Sequence, residues 1–273
     1  MNAALWRHAW RENWPLGTGM ATLLLAYHLL FVWMVSLVDL GYLGTFLRFG
    51  LRLPLQNLLP IPLEQVTTSR GMVSLAWMDA VPVLLFSAWA VARGSDAVSG
   101  PLDRGELEWL LTAGVSRCGF LAAQIAVACA WSMLVVGAGW VGTLLGLWWI
   151  DLGETIRPGT FLPAVVNTWG VTFFLYAFTV LVSAAGRYRR YTVGVVGAVY
   201  AVQLILKVVA RMSPWKWLAG LTFFGAFEPA WLVHQEHPWW ECAKYTLPLV
   251  GLGAAFLLLA FWALQRRDVP AAL

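Results

Sequence analysis

The stretch GFLAAQIAVACAWSMLVVGAGWVGTLLGLWW, residues 119–149, runs without a single Asp, Glu, Lys or Arg. At a rise of about 1.5 Å per residue, a helix of this length exceeds the roughly 30 Å of bilayer hydrocarbon, so it tilts or extends past it. Its apolar residues are continuous rather than alternating, which argues against a barrel strand. Five further stretches have the same character, at about 16–38, 72–92, 161–185, 192–210 and 246–264. The whole chain agrees with them: 60% of its residues are apolar and 12% charged. Soluble domains average about 45–50% and about 25%, so this chain lacks the polar residues to clothe a globule. That excludes a soluble enzyme, a nucleic-acid reader and a disordered hub. The expected fold is an all-α polytopic membrane protein of six transmembrane helices, one domain over residues 1–273.

An even number of spans puts both termini on one side. The basic residues Arg187, Arg189, Arg190, Arg266 and Arg267 cluster on that face, which the positive-inside rule assigns to the cytoplasm. The expected location is the inner (cytoplasmic) membrane. Arg7 and Arg11 precede the first apolar run as in a signal peptide, but the run is too long for one and no A-x-A-like site follows. Before it, residues 3–14 read as an interfacial helix, with Leu5, Trp6, Ala9 and Trp10 on one face and Arg7, His8, Arg11 and Glu12 on the other. Residues 40–59 are Leu/Phe-rich but hold Arg48, Arg52 and Pro54, and read as an interfacial element outside the membrane. Residues 215–233 are nearly long enough to cross. Lys216, Gly220, Gly225, Glu228 and Pro229 interrupt them, so a re-entrant or surface-lying hairpin is expected before the sixth span. Cys118, Cys129 and Cys242 show no disulfide or zinc spacing.

The loop after the second span, Arg93 to Arg117, carries dense local signals. Ser99 reads as a cap, Pro101 suits a first helical turn, and Asp103 and Glu106 sit near the positive end of the dipole. Leu107, Leu110 and Leu111 form an apolar ridge opposite Arg104 and Glu108. Gly114 supplies a left-handed stop and Ser116 a cap for the next helix. The expected product is one compact amphipathic helix.

The segment RGELEWLLTAGVSR, residues 104–117, resembles the signature of ATP-binding-cassette (ABC) exporter permeases of the type-2 class. The resemblance extends to the six spans, the N-terminal helix, Ser213-Pro214 with the aromatic-Pro segment Phe223–Leu232, and the closing Arg266-Arg267-Asp268. Gly114 stands where relatives commonly have proline. The resemblance implies a transmembrane permease subunit whose loop docks a coupling helix on a separate ATPase. Asp103, Arg104, Gly105, Glu106, Leu107, Glu108, Leu110 and Leu111 would make the main contact, and Arg187, Arg189 and Arg190 a lesser one. It further implies two ATPase copies that bind ATP and Mg, a second permease chain, identical or related, surrounding membrane lipid and no nucleic acid. The sequence has no G-x-x-x-x-G-K-[S/T] phosphate cradle, so no cofactor is expected on this chain, and no catalytic or metal residues.

Ionisable groups within spans are costly and invite a functional question. Asp79, Asn167, Gln203 and Lys207 fall in the outer half and form a candidate polar cluster, with Asp79 and Lys207 as partners; the alternative is that Asp79 caps locally and Lys207 snorkels. His28, mid-span, reads as hydrogen-bonded to a neighbouring helix. His234 and His237 flank Glu236 outside the membrane, a weak metal-like pattern. Gly142 and Gly146, like Ala122, Ala126 and Ala130, are spaced for close helix approach, including a dimer face. Two other functions stay open: a non-transporting assembly or sensor protein of the same architecture, and an intramembrane enzyme using Asp79 or His28.

Overall fold

The computed structural model describes residues 3–42, 44–45, 60–112, 114–212 and 215–266. Most of the element expected at 40–59 lies outside these residues, as do Ser213-Pro214 and Arg267-Asp268. The described chain is helical, without a strand. Six helical stretches are long and apolar enough to cross a membrane: Leu5–Ser36, Ser69–Ser95, Arg117–Trp149, Pro158–Ala185, Arg189–Met212 and Pro238–Arg266. They coincide with the six expected spans, and the chain is a multi-pass membrane protein.

Helix α1 covers Ala3–Ser36 and continues through Pro15. Residues 3–14 are therefore its first turns, not a separate helix. A proline inside a helix costs a hydrogen bond and crowds the preceding turn. Here side chains serve neighbouring carbonyls: Asn13 Nδ2 donates to Ala9 at 2.8 Å and Thr18 Oγ1 to Trp14 at 2.7 Å. The second span is built in pieces. Helix α2, Ser69–Leu75, is capped by Thr68; a tight turn at Ala76–Met78 follows; and α3, Ala80–Ser95, is capped by Asp79, whose carboxylate accepts from Val81 N at 3.0 Å. Pro82 falls within the first turn of α3, where its missing N–H has no intrahelical role.

The loop then forms two short helices, α4 at Ser99–Asp103 and α5 at Glu106–Thr112. The single helix expected there is divided at Gly105, whose φ of +72° only glycine adopts easily. Gly114, at φ +81°, stops α5, and Ser116 caps α6, Arg117–Trp149, accepting from Gly119 N at 3.1 Å. Helices α7, Leu162–Ala185, and α8, Arg189–Met212, follow. Residues 215–233 make no seventh span: two tight turns, Lys216–Leu221 and Phe223–Ala226, lead to the single-turn α9, Pro229–Leu232. Helix α10, Pro238–Arg266, closes the fold.

Close packing runs through small residues, because lipid tails give apolar helices no hydrophobic reason to associate and contact must supply it. Helices α1 and α6 lie parallel, with Gly17 against Trp131, Gly139 against His28, Gly142 against the Leu25 backbone and Gly146 against Val32. The Gly142/Gly146 face is thus occupied inside the chain rather than left for a second copy. Helices α7 and α10 are also parallel, joined at Gly170–Thr246 and Gly253–Phe173. Helix α7 is the central element, burying Val171, Leu175, Tyr176, Ala177 and Val180 among others, whereas α8 buries only Thr192, Val196 and Ala210. His28 is buried and bonds through Nδ1 to the Leu24 carbonyl of its own helix at 2.9 Å, not to a neighbour.

A Cβ on residue 142 would fall inside the van der Waals shell of the Leu25 carbonyl oxygen, while one on Gly137 would meet nothing within 4 Å. Gly142→Val is expected to lower stability by about 1–3 kcal/mol and Gly137→Val to leave it nearly unchanged. Thermal unfolding of the purified protein in detergent measures the difference.

Candidate functional site

One end of the bundle gathers the first turns of α1, the 93–117 loop, the α7–α8 turn and the end of α10. Arg93 Nη1 donates to the Glu12 carbonyl at 3.1 Å, Gln124 Nε2 to the Glu12 carboxylate at 3.1 Å, and Gln265 Nε2 to Cys118 Sγ at 3.0 Å. Two networks fix the loop there. In the first, buried hydroxyls bind α4 to α7 and α8. Ser183 Oγ accepts from the backbone N–H groups of Val98, at 3.2 Å, and Ser99, at 2.7 Å, and it donates to the Ser95 carbonyl at 3.1 Å. Ser99 Oγ lies 3.0 Å from Thr192 Oγ1 and donates to the Ser95 carbonyl at 3.0 Å. Ser99 is therefore not the cap of α4. The cap comes from another helix, because Ser183 reaches the free N–H groups first.

The second network is ionic and centres on Asp96. Its carboxylate meets Arg93 at 2.9 Å, Arg189 at 3.2 Å and Arg104 at 3.4 Å. These three arginines come from the end of α3, the start of α8 and the α4–α5 junction. One acid thus ties three segments. Arg104 also grips Glu106 with both carboxylate oxygens, at 2.8 and 2.9 Å. That bidentate bond holds the Glu106 carboxyl below its ordinary range and raises the Arg104 guanidinium further above its own. Because the folded-state value of the acid is depressed, the pair's contribution is complete above the ordinary carboxylate pKa and is lost as pH falls through and below it. Both groups are half-exposed, so the pair is worth about 0–1 kcal/mol.

The coupling residues inferred from the sequence divide accordingly. Arg104, Glu106 and Arg189 join the Asp96 network. Asp103 is exposed, Gly105 makes the bend, and Leu107, 1% exposed, turns inward and anchors α5. Leu107 thus holds the helix in place rather than offering a contact. Glu108, Leu110 and Leu111 belong to α5, but their side chains lie outside the described residues. Arg187 is exposed, and Arg190 stands over the rings of Tyr188, at 5.2 Å, and Tyr191, at 5.6 Å. Three features escaped the sequence reading: Asp96, the serine–threonine network, and Trp109. Trp109 is 81% exposed on α5. Its only signal in the sequence was a bulky aromatic among acidic neighbours.

At the opposite end, the candidate intramembrane cluster resolves differently from expectation. Asn167 Nδ2 donates to the Ala226 carbonyl at 2.9 Å and to Thr246 Oγ1 at 3.2 Å, while its Oδ1 accepts from Glu228 N at 3.2 Å. Gln203 Oε1 accepts from Phe223 N at 3.2 Å. Lys207 Nζ donates to the Phe227 carbonyl at 2.8 Å and pairs with Glu228 at 3.4 Å. All three serve the backbone of residues 222–228, whose irregular turns leave groups that no helix satisfies. Asp79 stands apart, capping α3. Of the two readings open for Asp79, the local cap is the one found, and Lys207 pairs with Glu228 instead of with Asp79. Beyond it, Arg70 donates to the Val233 carbonyl. Burial, with the charge of Arg70, lowers the pKa of His234 to about 4, while Glu236 and His237 are exposed.

No protein-family model and no curated protein matches this chain.

Two substitutions test the two ends. Asp96→Asn leaves three guanidiniums without their shared counter-charge and is expected to cost about 2–3 kcal/mol, between the values for exposed and fully buried pairs. Faster proteolysis within 93–117 would report the loosened loop. Asn167→Leu orphans the Ala226 carbonyl and the Glu228 N–H and is expected to cost about 2–3 kcal/mol, with hydrogen exchange rising first across 222–228.

Proposed function

We propose that this chain is the permease subunit of an ATP-driven exporter, a transmembrane partner that receives mechanical work from a separate ATPase. The observation that carries this reading is the build of the 93–117 loop. A passive connector between two spans needs neither a bend at Gly105, nor a cap borrowed from Ser183, nor an acid shared by three arginines. Together these fix α4 and α5 to α3, α7 and α8, so a push on the loop displaces three spans rather than bending a linker. Trp109 and the exposed Asp103 and Glu106 supply an aromatic and acidic face for a docking groove. The resemblance of residues 104–117 to the type-2 permease signature points the same way.

On this reading the loop-bearing end is cytoplasmic, with both termini. ATP and Mg bind to two partner ATPase subunits, and two permease chains enclose the substrate path. Closure of the ATPases on ATP moves α4 and α5, and the spans shift between inward- and outward-facing states.

The test is co-purification with an ATPase encoded beside this chain, followed by ATPase and transport assays in reconstituted membranes. Trp109→Ala, on an exposed side chain, is expected to weaken retention of the ATPase by roughly tenfold or more, within the range of aromatic hot spots, while thermal stability stays unchanged. Full retention and unchanged transport in Trp109→Ala and Glu106→Ala would overturn the coupling role. Labelling from outside intact cells of a cysteine placed at Trp109 would overturn the topology.

A further inference from the structure

Helix α1 enters the bundle with Arg7, Arg11 and Trp14 spaced four and then three residues apart, which on a helix is a single face. All three side chains are exposed, Trp14 to 55%. The opposite face packs inward through the buried Ala9 and Asn13. Trp10, beside the line, lies 5.1 Å from the ring of Trp131, and Trp14 meets the same ring edge-on at 5.8 Å. The two indoles are thus seated on α6 while part of each stays open on the flank of the helix.

Depth follows from the rise of a helix. The first apolar run begins at Leu16. At about 1.5 Å per residue, Trp14 stands about 3 Å before that edge, Arg11 about 7.5 Å and Arg7 about 13.5 Å. Headgroups fill roughly 5–8 Å on each side of the hydrocarbon. Trp14 therefore sits at the boundary and Arg11 among the phosphates, and the long Arg7 side chain reaches back toward them.

The two charges have no protein partner. Among the described residues neither Arg7 nor Arg11 joins an ion pair or a hydrogen bond. Glu12, the acid nearest in the chain, is turned elsewhere: its carboxylate accepts from Gln124 at 3.1 Å and faces His8 at 3.5 Å. Other cations at this end are engaged. Arg93, Arg104 and Arg189 share Asp96, Arg190 stands over two tyrosines, and Arg266 lies 4.2 Å from the Trp262 ring.

We infer that this face of α1 binds an anionic phospholipid: its phosphate between Arg11 and Arg7, its glycerol and upper chains along Trp14. Guanidinium forks match phosphate oxygens, and an indole at the boundary suits the half-apolar layer beneath them. A soluble anion has no use for the indole, so the occupant comes from the bilayer. The inference requires only that α1 crosses a membrane and does not rest on the permease reading.

The test uses the full chain in nanodiscs of phosphatidylcholine doped with a photoactivatable phosphatidylglycerol, with chain-matched photoactivatable phosphatidylcholine as the zwitterionic control. Mass spectrometry of the cross-linked protein is expected to concentrate the phosphatidylglycerol label on residues 7–18. Unlabelled phosphatidylglycerol should compete about 30-fold better than phosphatidylcholine, as roughly fivefold per arginine would give. Arg7→Gln combined with Arg11→Gln should reduce it to the level of phosphatidylcholine, with thermal stability unchanged because both side chains are exposed. Equal competition by the two lipids, or an undiminished preference in the double variant, would overturn the site. A label shared evenly with the α7–α8 turn and the end of α10 would mark a general attraction to the basic end and would also overturn it. Displacement of the label by free glycerol phosphate at the same concentration would show a soluble anion as the occupant and overturn the lipid.

Discussion

Hydrocarbon offers no hydrogen bond, and every backbone N–H and C=O placed in it must find its partner within the protein. In the six long helices the partners are local and the requirement is met turn by turn. Wherever the chain departs from a regular helix, the same requirement recruits side chains from elsewhere. Thr68 and Asp79 cap the pieces of the second span. Ser183 caps a loop helix from across the bundle. Asn167 serves one carbonyl and one N–H of the 222–228 turns at once. Several of the chain's polar residues thus stand where the helical ladder stops.

That placement separates the two ends of the bundle in character. At the loop-bearing end the polar groups stiffen: hydroxyls and the Asp96 network join α3, α4, α5, α7 and α8 into one block. At the other end they hold an irregular segment against α7 and α8 and leave a cavity beside it. On the proposed reading, a stiff block at one end and a recess at the other suit a protein that converts a push into a rearrangement of its spans.

Much of the fold was legible because hydropathy is a local property. The six runs and the interruption of 215–233 by Glu228 and Pro229 needed no partner to be seen. Gly114 and Ser116 were legible for the same reason, since a positive φ and an N-cap are decided within four residues. The errors have a common origin. Ser99 has the right residue type for a cap, and only the arrival of Ser183, 84 positions away, takes that role from it. Gly105 reads as one more glycine until the chain is seen to bend there. The local cap at Asp79 was open in the sequence, but the partner of Lys207 was not, because Glu228 reaches it only when the 222–228 turns fold back against α8. Leu107 belonged to an apolar ridge in the sequence, and which side of that ridge faces the bundle depends on how α5 docks.

The sequence by itself determined how many stretches of this chain are able to cross a membrane, roughly where along the chain they lie, and that its loop after the second span is ordered. Hydrophobic length, dihedral preference and capping chemistry act over a few residues and are written in order along the chain. Which helix touches which, that Gly142 packs on α1, that Asp96 gathers three arginines, and that a recess opens between α3 and α8 were decided only in the tertiary structure. In spans apolar on every side, no periodic stripe marks the face that will be buried. That choice falls to shape and to the few polar groups whose partners lie far along the chain, 61 residues away for Asn167 and Glu228 and 93 for Ser99 and Thr192.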